Sequence, residues 1–414
     1  MIELIRKLWF KPRHLISDGY DESLMFISKI LPLKILEIPT GLECWTWKIP
    51  EKWSLKNAWI KDVNGKKIFD GMEHPLNVIS YSLPIKKTVT RNELLEHINS
   101  LPKKPDAIPY DYAFYEKKWG FCMEHKKKEK LLDEKYEILI DSEFSKGTLK
   151  IGEYTKKGKT DEIIVFVAHL DHPAMVNDDL TGVSVLVEIA NSISDWDNFY
   201  TYKFLILPET IGSIAYLSQN EELIPLLKFG LFLEMLGNNN SLALQLSKEE
   251  NTRLDRIAEY IMKTKLNEHR EDKFRKIISN DEMVFDGPGI NIPMISISRF
   301  PYPEYHTSQD NLDIVSEEKL FESKKIILNM IKILDRDYIP VRKFKGPLFL
   351  SRYGLWVDWR VNKELNLNLE QIMLRLEGNK SVFDIAEELE MDFEIVFEFL
   401  EKLFEKKLID KMVV

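Results

Sequence analysis

Cysteine is scarce: Cys44 and Cys122 are the only two in 414 residues. No Cys-x-x-Cys pair exists, which excludes a thiolate zinc site. Both read as small buried hydrophobes in a reducing compartment rather than as a disulfide. No apolar run approaches membrane-spanning length. The opening MIELIRKLWFKPRH lacks the unbroken apolar core and small-residue cleavage site of a signal peptide. A cytoplasmic chain with no membrane partner is therefore expected. Positive charge is also short. The 58 Lys and Arg against 67 Asp and Glu leave a net −9, which argues against general nucleic-acid affinity. Repeats and low-complexity segments are missing. What remains is a soluble composition, 44% apolar and 30% charged, with 9 Trp and 22 Phe to build a large interior. The length predicts two or three domains.

One stretch organises the rest, VFVAHLDHPAMVNDDLTGVSVLVEIA, residues 165–190. It is entered through IIVFVA, a continuous apolar run of the kind covered on both faces of a sheet. His169, Asp171 and His172 end that strand. Asn177, Asp178 and Asp179 sit in the polar loop that follows, and Leu180 to Ala190 reads as an apolar helix whose Gly182 permits close packing on the sheet. Imidazoles and carboxylates thus gather beyond the carboxyl end of a strand, where open α/β sheets place their sites. They are the donor types of a catalytic zinc site.

In chain order, residues 1 to about 38 read as helical. From Trp45 to about Trp119 the chain is rich in Trp, Tyr and Pro, with a hairpin signal at Asn64-Gly65. NVISYSLPI reads as a strand and RNELLEHINSLP as a short helix with an Asn cap. This part is taken as a small, mostly β insertion, residues 45–135, whose aromatics form its own core or, as the second reading, bind a ligand. From Tyr136 an α/β pattern begins. YKFLILPET is a buried strand ending in Glu209, SIAYLSQNEELIPLLK is helical, and GLFLEML is a buried strand carrying Glu234. A charged helix spans roughly Glu249 to His269. Asp281 and Glu282 follow in IISNDEMVF. PMISISRF is a fourth strand, before the loop PYPEYHTSQDN and a closing helix from Ser316 to Tyr338. Strands alternating with helices imply a mostly parallel sheet covered on both faces. The catalytic core is thus expected over 1–44 plus 136–340. Residues 345–414 give three short helices, with Ser381 and Asp384 as an N-cap pair, and a terminal extended stretch in a winged-helix pattern.

Taken together and in this order, these strand-end groups resemble the zinc aminopeptidases that also include glutamate carboxypeptidase-like enzymes. His169-Leu170-Asp171, Asn177-Asp178, Glu209, Glu234-Met235-Leu236-Gly237 and Tyr305-His306-Thr307-Ser308 match that family's elements. The chain also resembles, over nearly its whole length, a bacterial aminopeptidase-like family with an inserted β domain and a C-terminal winged helix, whose members often lie among polysaccharide genes. NVISYSLP, IPYDYAFYEKKWGFC, HLDHPAMVND, PETIGSIAYL, NDEMVFDGPGINIP and PEYHTSQDN carry that resemblance. It implies a three-layer α/β/α, phosphorylase/hydrolase-like core with a mixed, mostly parallel sheet.

The resemblance further implies zinc, one or two ions, held by residues drawn from His169, His172, Asp178, Glu234 and His306. Glu209 would act as general base, Tyr305 as oxyanion donor, and Asp171 as the group orienting His169. Asp281 and Glu282 would hold a substrate amine or support the ligands. The expected reaction is hydrolysis of a small peptide or amide, with a link to polysaccharide-related metabolism. Three departures stand out, one of them Glu234 in place of the family's usual aspartate. Thr210 follows Glu209 where the di-zinc enzymes have a second glutamate, and His172 is an additional imidazole. In a strand, residues i and i+3 point to opposite faces, so His169 and His172 reach one ion only if the strand has ended by Asp171. A catalytically silent binding module is the competing reading, and a DNA-binding regulator the weaker one. Residues 363–414 carry thirteen acidic against seven basic groups, the wrong sign for phosphate. The apolar positions of DFEIVFEFLEKLFEKK recur at helical spacing and imply protein contact, with self-association of the chain as the expected use.

Overall fold

The computed structural model describes residues 1–414. Its central element is an eight-stranded mixed sheet. The strands run in the order Lys34–Pro39, Thr148–Lys156, Thr201–Leu207, Ile163–His169, Leu227–Leu233, Met294–Ser298, Ala243–Gln245 and Arg270–Asp272. The four middle strands from Thr201–Leu207 to Met294–Ser298 are parallel to one another. Antiparallel pairings flank them on both sides. Every residue of Ile163–His169 and of Thr201–Leu207 is buried, which is why both strands read as unbroken apolar runs. The fold is the expected aminopeptidase-like α/β architecture.

Local chemistry moved several boundaries. Residues 1–38 hold helices Ile2–Leu8 and Asp18–Ile27 but then an edge strand, Lys34–Pro39. Pro32, which cannot donate to a helix, ends the helical run, and Ile35, Leu36 and Ile38 pair with Gly152, Ile151 and Leu149 across the sheet. NVISYSLPI makes single bridges from Val78 and Ser80 rather than a strand, because Tyr81 adopts a φ of 66°. The helix Arg91–Glu96 is capped by the Thr90 hydroxyl, which accepts from the Glu93 amide at 3.2 Å, and not by an Asn. SIAYLSQNEELIPLLK splits into helix Ile211–Ser218 and a 3-10 turn, Glu221–Leu226, that accommodates Pro225.

The insertion contains a four-stranded antiparallel sheet ordered Lys67–Asp70, Lys52–Lys61, Lys135–Ser145, Ile85–Thr90. Lys135–Ser145 belongs to this small sheet, so the α/β pattern starts one strand later than Tyr136. The hairpin at Asn64-Gly65 is present, with Gly65 at φ 79°. Sheet and insertion lie in one compact unit, residues 1–252 and 268–325.

A second compact unit comprises residues 253–267 and 326–414. It is larger than 345–414, because its C-terminal helices pack on two earlier segments. The Arg256 guanidinium donates to Asp384 at 2.9 Å, and Arg253 pairs with Asp337. The Tyr260 hydroxyl donates to the Met391 carbonyl and accepts from the Phe393 amide. Helices Lys363–Leu374, Val382–Glu388 and Phe393–Glu405 are followed by Ile409–Met412, which pairs antiparallel with Ile339–Arg342. Ser381 and Asp384 form a reciprocal capping box.

Gly182 opens the helix that carries the chain away from the polar loop. A Cβ there would collide with the Leu233 carbonyl and with both Asp179 carboxylate oxygens. Gly182→Ala is therefore expected to destabilise the protein by about 2 kcal/mol or more, measured as a lower urea midpoint.

Candidate metal centre

The strand Ile163–His169 ends at His169. Freed of strand alternation, the chain turns the His169 and His172 rings into one space, with centroids 4.7 Å apart. Asp178 lies between them. One carboxylate oxygen, Oδ1, is 3.1 Å from His169 Nε2. The other, Oδ2, is 3.0 Å from His172 Nδ1 and 3.2 Å from His306 Nε2. Glu234 closes the group, its Oε2 3.7 Å from His169 Nε2. The structure thus gathers all five residues singled out for metal in the sequence.

Four of these groups are buried, and His306 is half-buried. His169 and Glu234 are 0% exposed and Asp178 is 1%. Yet His169 Nε2, His172 Nδ1, His306 Nε2, Asp178 Oδ2 and Glu234 Oε1 make no hydrogen bond of regular geometry. Buried polar atoms without partners are costly. Nitrogen and carboxylate donors converging on one point, none satisfied by a regular hydrogen bond, fit a metal of the zinc class.

The field inside the cluster is strong. Burial alone would depress His172, but Asp178 and Glu209 outweigh it and lift its pKa to about 10. Burial opposes ionisation of Asp178 too, yet the three imidazoles hold its pKa well below the usual carboxylate range. Burial, with Asp178 and Glu282 adding to it, raises Glu234 to about 8.

Glu209 sits at the rim. Its amide donates to Asp171 Oδ1 at 2.8 Å, and its Oε2 lies 3.1 Å from His172 Nε2. At 27% exposure it is the carboxylate in contact with the imidazoles that solvent reaches. Asp171 Oδ1 is also 3.6 Å from His169 Nδ1, so one carboxylate holds the Glu209 amide and faces the His169 ring. Tyr305 stacks on His306 at 3.9 Å. Burial, together with Asp178 and Glu234, keeps its hydroxyl protonated.

Asp281 and Glu282 are buried at 0%, which leaves no face for a substrate amine. Asp281 accepts from the Thr210 amide at 3.1 Å and from the Ser213 hydroxyl. Glu282 accepts from the Asn280 amide, and the Asn280 side chain donates to Glu234 at 2.7 Å. Both acids brace neighbours of the cluster.

Three participants escaped sequence reading. Arg13 is fully buried and donates to the carbonyls of Leu170, His172 and Met175, fixing the loop that bears His172. Nothing local in RHL marks that role. Asp310 accepts from the amides of Val176, Asn177 and Asp178 at 2.6–3.2 Å. Its signal was its place in the PEYHTSQDN loop. Tyr110, from the insertion, packs on His172 and His306 with ring centroids 5.1 and 5.3 Å away. Its segment is held by the Tyr110 amide donating to the His306 carbonyl and by a bridge from Pro109 to Thr307. The insertion's aromatics are therefore partly a roof over the site and not only a core. Beside the site a cleft of about 430 Å³ is lined by Trp45, Trp47, Thr210, Arg275 and Asn280, among others.

A profile of the family described as "Domain of unknown function (DUF4910)" matches residues 2–337. The chain belongs to this family. A Clostridium acetobutylicum protein named for polysaccharide biosynthesis and an aminopeptidase-like domain is 32% identical over 397 residues, 94% of this chain and 91% of that one. The crystal structure of a C. acetobutylicum protein named as a peptidase superposes with a TM-score of 0.89 at 31% identity, covering 99% of this chain and 95% of the other. A zinc aminopeptidase from Bacillus subtilis shares the fold at 14% identity, with a TM-score of 0.61 over 80% and 94% of the two chains. This member of the family is thus aminopeptidase-like in fold, with a His/His/Asp cluster suited to a zinc hydrolase.

Removal of the Asp310 carboxylate would strip three buried amides of an acceptor. Asp310→Ala is expected to cost about 3 kcal/mol or more, with Asp310→Asn milder, in equilibrium urea unfolding.

Proposed function

We propose that the chain is a zinc-dependent hydrolase of small peptide or amide substrates, acting in the cytoplasm. The observation that carries this reading is the set of buried nitrogen and oxygen atoms converging on Asp178 without a regular hydrogen bond, with the open carboxylate Glu209 at its edge. His169, His172, Asp178, Glu234 and His306 are the residues that would hold zinc. Bound zinc is a Lewis acid that brings the pKa of water near neutrality and polarises a carbonyl. Glu209 accepts a proton from the attacking water on its exposed carboxylate and returns it to the leaving amine. The Tyr305 hydroxyl, kept protonated, donates to the developing oxyanion. Asp171 fixes the Glu209 backbone and the His169 ring together. Tyr110 and Tyr305 cover the cluster and limit water. The C. acetobutylicum relative's name supports a substrate drawn from polysaccharide-related metabolism.

The C-terminal helices we read as a winged-helix module for protein contact. On its surface and the segment before it, Phe349, Trp356, Trp359, Val361, Leu367 and Leu374 are exposed, while helix Phe393–Glu405 presents Glu394, Glu398, Glu401 and Glu405. Such a face suits self-association and repels phosphate. Trp356→Ser with Trp359→Ser is expected to lower the molar mass seen by light scattering; a wild-type mass of one chain refutes this assignment.

Two measurements test the enzyme. Protein purified without chelator should contain stoichiometric zinc by elemental analysis. Glu209→Gln should keep metal and fold while activity on a panel of aminoacyl p-nitroanilides falls by about 10²-fold or more. Loss of metal in that variant makes Glu209 a ligand, and unchanged activity removes it from the mechanism.

A further inference from the structure

The cleft of about 430 Å³ is used by no step of the mechanism above. Two of its lining residues tie it to the chemistry: Thr210 follows Glu209, and Asn280 donates to Glu234 at 2.7 Å. Another part of the lining comes from the insertion. Strands Glu43–Cys44 and Trp47–Lys48 pair antiparallel around the two-residue turn Trp45-Thr46. Both tryptophans stay open, at 41% and 38% exposure, yet both are held in place. Trp45 adopts a φ of 52°, which is unfavourable for a bulky residue, and its indole N–H donates to Glu221 at 2.7 Å. Trp47 packs edge-on against Tyr115 with ring centroids 5.9 Å apart, and the Tyr115 hydroxyl donates to the Lys48 carbonyl at 3.0 Å. A ligand that covers these fixed indoles removes apolar area from water without having to order them first.

The rest of the lining narrows the choice. Thr46 and Ser279 add hydroxyl groups, and Arg275 is the one charged residue of the cleft. Its single side-chain contact is Nη1 at 3.5 Å from Glu282 Oε1, at the edge of hydrogen bonding. With the Arg275 side chain 36% exposed, most of the guanidinium donors are left for a ligand. A free amine finds no carboxylate in this lining and is repelled by Arg275, whereas an anionic group can take paired hydrogen bonds from it. An aryl ring would cover the indoles but leave the Thr46 and Ser279 hydroxyls unpaired. A sugar ring has polarised C–H groups on its face, which suit the negative face of an indole, and hydroxyls at its edge.

We propose that the cleft is the specificity pocket of the site and takes an acidic sugar unit. The sugar ring stacks on Trp45 and Trp47, and its carboxylate or phosphate is held by Arg275. This rests on the hydrolase reading above and names the part of the substrate that does not react.

Binding is measured on the full chain, by saturation-transfer NMR and by titration calorimetry, with glucuronate, glucose 6-phosphate, glucose and phenylacetate as probes. Glucuronate or glucose 6-phosphate should bind about 10-fold or more tightly than glucose and phenylacetate, with saturation strongest at the ring protons. The tighter of the two acidic sugars identifies the anion. Arg275→Met should abolish the preference over glucose, and Arg275→Lys should restore part of it. Trp47→Ala should weaken the acidic sugar by about 10-fold, with circular dichroism unchanged; Trp45→Ala should act in the same direction from the other indole. Phenylacetate binding as tightly as the sugars, an unchanged anion preference in Arg275→Met, or no binding of either acidic sugar overturns the proposal. Sugar binding by a chain that holds no zinc keeps the pocket and removes the hydrolase reading, whereas zinc and hydrolysis without sugar binding overturn the pocket alone.

Discussion

Asp178 is a deeply buried carboxylate, and much of the unit around it is arranged to keep it there. Its main-chain amide and the two before it are held by Asp310. Asn177 on one side accepts from the Gly237 amide, and Asp179 on the other accepts from the amides of Gly182 and Met235. The loop is therefore tied to the end of the neighbouring strand Leu227–Leu233 and to the start of its own helix. A buried charge needs such anchoring, because desolvation must be met by fixed dipoles or opposite charge. Here both are present, the dipoles through the neighbouring residues and the charge through three imidazoles.

That constraint explains the long reach of the site. Arg13 comes from before the second helix and Asp310 from beyond the last strand of the parallel core. Tyr110 comes from the insertion. None of them faces a substrate as a reacting group in the mechanism above. Each holds a segment whose backbone would otherwise lie buried and unpaired. The insertion is thus structurally joined to the chemistry, since its 108–110 segment runs beside the 305–308 loop through paired main-chain bonds. The cleft walled by Trp45 and Trp47 is also lined by Thr210, which follows Glu209, and by Asn280, which donates to Glu234.

The C-terminal unit follows different physics. Its core is ordinary helix packing, with Phe393, Val396, Phe399, Leu400 and Leu403 buried on one side of a single helix. Charge pairs such as Arg336 with Glu394 at 2.8 Å occupy its partly exposed surface, where each contributes little to stability. Nothing in it resembles the dense polar network of the first unit.

Periodicity and strand-end chemistry alone determined the buried central strands, the N-cap at Ser381, the hairpin at Asn64-Gly65 and the His169/His172/Asp178 group, while Glu234 and His306 were implied by the family resemblance. Each of the former is local: it depends on spacing along the chain and on the residue itself. The sequence left open whether His169 and His172 face one space, because that turns on where a strand stops, and the strand stops at His169 only in the context of its neighbours. It also could not assign Lys135–Ser145 to the small sheet, or Lys34–Pro39 to the large one, since strand partners are chosen by distant segments. Burial of Asp281 and Glu282, and the roles of Arg13 and Tyr110, arise from contacts between residues that lie tens to more than a hundred positions apart. Such contacts leave no periodic trace, so tertiary structure alone decided them.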